Sequence, residues 1–171
     1  MIMENRETQW TPMKALGKST QYLQTLNVPE FKTNLEDSGL EYGNLLNCDN
    51  KQLEEYLLVY GGFKAYLEGQ VSDAVTKSNA IEAAFNEGYA TAIYRIADER
   101  EAEGKKKLTR EEIRGAVMDR YDQLKELRRE VIEQEAIQSR LQGLLNAYKA
   151  AYDAVSRVVT LRTYGEFKAN G

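Results

Sequence analysis

Residues 53–96 read LEEYLLVYGGFKAYLEGQVSDAVTKSNAIEAAFNEGYATAIYRI, and the spacing of apolar and small side chains in this stretch decides the fold. Leu53, Leu57, Tyr60, Phe63, Leu67, Val71, Ala74, Ser78, Ile81, Phe85, Gly88, Ala92 and Ile96 step by threes and fours. Carried over about six heptads, that period marks one long helix with a continuous seam for a second helix. No proline interrupts it. Gly61-Gly62 is the weak point, because glycine costs about 1 kcal/mol in a helix interior. A kink or break is expected there. Gly69, Ala74, Ser78, Gly88 and Ala92 keep the seam narrow enough for close approach of a partner helix.

Working outward, Asp49-Asn50 places a capping residue just before the period begins. At the other end, Glu101 to Lys107 (EAEGKKK) is a charged connection containing Gly104. Thr109-Arg110-Glu111-Glu112 then spells a capping box, with Thr109 as N-cap and Glu112 reaching back. Ile113 and Val117 give this short helix its apolar contacts. The period resumes through Leu124, Leu127, Val131, Leu141, Leu145, Tyr148, Tyr152, Val155 and Val159, with polar Gln134 and Gln138 on the seam. The tail after Arg162, TYGEFKANG, lacks a helical period and is expected to fray.

Both prolines, Pro12 and Pro29, lie near the start, with a short helix expected between them over residues 13–26. Residues 28–50 are rich in turn formers. Residues 1–49 are therefore read as a partly irregular arm that docks through Trp10, Phe31, Leu35, Leu40, Tyr42, Leu45 and Leu46. Residues 50–104 form the first long helix region, and 105–171 the basic linker, the capped helix and an assembly helix, one domain overall. The expected fold is all-α: a long antiparallel helical hairpin with a short capped helix at the bend. Two amphipathic helices bury little alone, so a homo-oligomer is expected. Its seam is placed at Leu141, Leu144, Leu145, Tyr148, Tyr152, Val155 and Val159.

Among 171 residues there is no histidine and one cysteine, Cys48. The commonest general base, the usual zinc ligand and every Ser-His or Cys-His pair are thus missing. No glycine-rich phosphate loop is present. Glu126, Glu130 and Glu133 alternate with Lys125, Arg128 and Arg129, a pattern of intrahelical salt bridges on a wet face rather than a magnesium site. The expectation is a protein without catalytic residues, cofactor or metal. A lone cysteine and the absence of an apolar membrane-spanning run point to a reducing, cytoplasmic setting and no membrane partner.

The net charge of −4 is unevenly spread. Residues 1–100 carry 9 basic against 15 acidic side chains, a net −6, whereas residues 101–171 carry 14 against 12, a net +2. Doubling back of the hairpin gathers Arg95, Arg100, Lys105, Lys106, Lys107, Arg110 and Arg114 at one end, with Tyr94 and Tyr89 as faces on which bases could stack. Asp98, Glu99, Glu101, Glu103, Glu111 and Glu112 are interleaved, so the same residues also read as a solvated hinge.

The order of these features resembles the UvsY-type recombination mediators of T4-like phages. Tyr60-Gly61 and Tyr66-Leu67 are similar to the opening of that family's central helix, Glu82-Ala83 to its Glu-Ala pair, and Ala92 to Arg95 to its basic motif. The stretch KKLTREEIRGAVMDRYDQL resembles the family's linker and capped helix, and LQGLLNAYKAAYDAVSRVVTLR its terminal assembly helix, so the likeness runs over about residues 35–162. Where the family carries a lysine two residues before its arginine, this chain has Ile93, so only Arg95 carries over. The resemblance implies a non-enzymatic accessory of DNA recombination in the host cytoplasm. Such a protein binds single-stranded DNA, forms rings, and loads a RecA-like recombinase onto strands coated by single-strand-binding protein. The competing expectation is a structural or adaptor helical protein, such as a virion component, with no affinity for nucleic acid.

Overall fold

The computed structural model describes residues 11–29, 45 and 47–169. Four helices make up the described chain: α1 (Pro12–Thr25), α2 (Asn50–Ala102), α3 (Arg110–Arg120) and α4 (Asp122–Ala169). No strand occurs among the described residues. The all-α expectation holds, and in each of the chain's two compact units a stretch of α2 packs against a stretch of α4. Trp10, Phe31, Leu35, Leu40, Tyr42 and Leu46, expected to dock the arm, lie outside the described residues.

Local chemistry explains each helix boundary. Asp49 accepts the Gln52 backbone N–H at 2.7 Å, and the Gln52 side chain accepts the Asp49 N–H at 2.9 Å, a reciprocal cap on α2. At its far end Gly104 takes φ +64°, a left-handed conformation that costs glycine little. There the Lys105 N–H bonds to the Arg100 carbonyl at 2.9 Å and the Gly104 N–H to the Glu101 carbonyl at 3.0 Å. This pair of bonds is the Schellman stop. Thr109 and Glu112 form the expected capping box on α3. Asn27, at φ 53°, follows the last turn of α1.

Two expectations are corrected. α2 runs without interruption through Gly61-Gly62. A Cβ at Gly61 would lie 3.4 Å from the Tyr152 ring, so this ring covers the backbone where a side chain is missing. Packing outweighs the poor propensity. α4 likewise continues beyond Arg162 to Ala169. Arg162 ties this end down, donating to the Cys48 carbonyl at 2.6 Å and the Asn50 side chain at 3.1 Å.

The chain divides into two compact units whose limits fall inside α1, α2 and α4. One comprises residues 1–21 and 74–137. Its core is Ala92, Ile96, Val117 and Leu124, flanked by Phe85, Tyr89, Ile93, Ile113 and Leu127. Gly88 admits Leu124 so closely that a Cβ would lie 2.8 Å from the leucine methyl. α1 is fastened to α4 by Lys18, whose ammonium bonds both oxygens of Glu133 at 2.7 and 2.8 Å. Glu133 is therefore a buried anchor and not part of a wet face.

The other unit comprises residues 22–73 and 138–171. Its core is Leu45, Leu53, Ala151 and Val155, with Leu57, Tyr60, Val158 and Val159 packed around it. The Tyr148 hydroxyl donates to the Pro29 carbonyl at 2.7 Å, while its ring meets Phe63 at a centroid distance of 5.1 Å. Leu141, Leu145, Tyr148 and Val155 are buried within the single chain, and Leu144, Tyr152 and Val159 partly so. The side chains assigned to oligomerisation thus fill the chain's own seam. Tyr148 meets Phe63, Tyr152 covers Gly61 and Val155 packs with Leu53, so α2 supplies contacts that the sequence alone does not distinguish from those of a sister subunit.

Candidate nucleic-acid interface

The bend between α2 and α3 is a structured turn. The Arg100 guanidinium donates to the Lys106 carbonyl at 2.8 and 3.2 Å, pulling the lysine loop back against the end of α2. Arg100, Lys105 and Lys107 line a hollow of about 440 Å³ whose floor is Ile96, Leu108 and Ile113. Lys105 pairs with Glu103 at 2.6 Å, and that contact holds the Glu103 carboxyl below its ordinary range. One of the three linker lysines thus has an acidic partner beside it. Lys106 and Lys107 are exposed.

A second, larger groove of about 820 Å³ lies between α2, α3 and α4 in the same unit. Arg110 and Arg114, one helical turn apart on α3, line it together with Arg128 of α4, and Glu111 is the only acidic lining residue. Phe85 and Tyr89 of α2 form one wall, their rings stacked at 5.6 Å and inclined by 20°. The Arg128 guanidinium lies 5.8 Å from the Phe85 ring centre, within cation–π range.

Neighbouring cations are neutralised. Arg120 forms a forked pair with Glu99, which raises its pKa, and Arg129 pairs with Glu126. Among the described residues, Arg110, Arg114 and Arg128 have no carboxylate partner in an ion pair. The groove therefore concentrates three uncompensated guanidinium groups beside two flat aromatic faces. Guanidinium groups fit phosphate oxygens two at a time, and aromatic rings accept unpaired bases without regard to sequence.

The structure brings together the predicted cations only in part. Arg95 lines a separate groove of about 410 Å³ with Gly88, Tyr121 and Leu124. It follows Ile93 by two positions, roughly 200° of helical turn, and so leaves the face that carries Phe85 and Tyr89. Tyr94 is 71% exposed and lines none of these three grooves. Sequence reading missed Arg128 and Phe85 as site residues. Arg128 is four residues after Leu124 and three before Val131, both buried, which places it on the edge of the seam.

Among the described residues no group of three or more acidic or cysteine side chains could hold a metal ion. No described helix is long and apolar enough to cross a membrane. No protein-family model, no curated protein and no solved structure matches the chain.

Proposed function

We propose that this protein is a non-enzymatic recombination mediator that binds single-stranded DNA without sequence preference. The single observation that carries this reading is the groove in which Arg110, Arg114 and Arg128 stand uncompensated beside the Phe85–Tyr89 stack. The exposed Lys106 and Lys107 of the loop before α3 add to the basic surface, so a strand would meet several phosphate contacts. Loading of a RecA-like recombinase onto strands coated with single-strand-binding protein is the activity that the resemblance adds. Self-association belongs to the same reading; of the 141–159 seam, Leu144, Tyr152 and Val159 keep some surface for it, while Leu141, Leu145, Tyr148 and Val155 are buried within the chain.

The test is a titration of fluorescent oligothymidine by anisotropy at about 50 mM and about 200 mM salt. Binding at the lower concentration and a loss of ten-fold or more at the higher are expected for several phosphate contacts. Absence of binding at low salt removes the reading. It would leave the second one, an adaptor or structural protein, which draws on the apolar side chains that α2 exposes. They include Leu58 at 77%, Val59 at 49% and Tyr66 at 44%.

A further inference from the structure

We infer that the groove between α2, α3 and α4 recognises bases as well as charge. An unpaired base lies against the Tyr89 ring while Arg110, Arg114 and Arg128 hold the phosphates on either side of it. This rests on the nucleic-acid reading and deepens it. Four observations support it.

Phe85 and Tyr89 are one helical turn apart and already stacked, so their faces are arranged before any ligand arrives. Tyr89 is only partly buried and lines the groove. Arg128 covers the Phe85 ring on which Tyr89 stacks, which fixes its guanidinium close to where a base would meet Tyr89. The volume of about 820 Å³ falls within the ~300–1,000 Å³ of small-molecule sites, room for a nucleotide rather than a duplex.

A duplex keeps its bases paired and stacked on each other, leaving only phosphates for the arginines. Such a groove separates single from double strands through the base, where a plain basic patch would not. The hollow lined by Arg100, Lys105 and Lys107 has no aromatic side chain and lacks this property.

The experiment uses the full chain and two fluorescent strands of about 12 nucleotides, a length within the footprint of single-strand binders. One carries thymine throughout; the other has the same phosphates and abasic residues throughout. The unaltered protein should bind the base-bearing strand about five-fold tighter or more, the effect of at least one stacked base. Tyr89→Leu, with helicity checked by circular dichroism, should bring the ratio toward one. Arg114→Ala, an exposed position, should weaken both strands alike and preserve the ratio.

Equal affinity of the unaltered protein for the two strands overturns the inference while the phosphate-binding reading stands. No binding of either strand at low salt overturns both. The comparison on the unaltered chain requires no variant to fold.

Discussion

The Tyr148 hydroxyl shows how one residue couples burial, bonding and pH. The side chain is 3% exposed and donates to the Pro29 carbonyl. Burial, and then the neighbouring Tyr60, push its pKa from 10.0 up to about 12. A folded pKa above the unfolded one means that the stabilisation is complete below about pH 10. It is lost as pH rises toward 12, because the unfolded chain releases the proton first. The stability advantage over Tyr148→Phe should therefore shrink by on the order of 2 kcal/mol across that interval, measured by urea unfolding. An advantage that stays flat contradicts the burial. At this scale the sequence was legible for residue type but not for partner. Arg128, Arg129 and Glu133 occupy one charged run, yet Arg129 pairs locally with Glu126, Arg128 covers Phe85, and Glu133 anchors Lys18 from α1. Only the third dimension separates these roles.

Among the elements, the helices declared themselves through period and caps. Every residue of the α2 seam, from Leu53 to Ile96, is buried or partly buried, and the Thr109–Glu112 box closes as its spacing predicts. Legibility failed at Gly61-Gly62 and in the tail, where local propensity was poor and tertiary contacts, Tyr152 and the Arg162 anchor, decide the outcome. The two glycine environments give opposite expectations. Gly62 is exposed with nothing within 4 Å of an added Cβ. Gly62→Ala should stabilise by about 0.5–1 kcal/mol through lower unfolded-state entropy. Gly88 faces Leu124 with no room to spare, and Gly88→Leu should destabilise by about 1–3 kcal/mol through overpacking. Thermal or denaturant melts of the two variants check both signs. Equal effects at the two positions would refute the close approach at Gly88.

For the whole molecule, the charge gradient along the chain anticipated a basic bend but not its subdivision into separate grooves. Arg95 and Tyr94, adjacent in sequence to the seam, point away from the arginine groove, and Lys105 is compensated by Glu103. Leu141, Leu145, Tyr148 and Val155 of the expected assembly seam are buried within the chain for a related reason: an amphipathic stripe does not reveal whether its partner comes from the same chain or another. What links sequence to proposed activity is therefore narrower than a cluster of seven cations. Of the seven, Arg110 and Arg114 are the two that line the groove with the aromatic wall. The most direct measurement is the slope of log affinity against log salt for oligothymidine, compared between the unaltered chain and the double variant Arg110→Ala/Arg114→Ala. Each phosphate contact on a single strand contributes about 0.7 to that slope, so the double variant should be shallower by about 1.4. A slope that does not change on removing both arginines would contradict the placement of the strand in this groove.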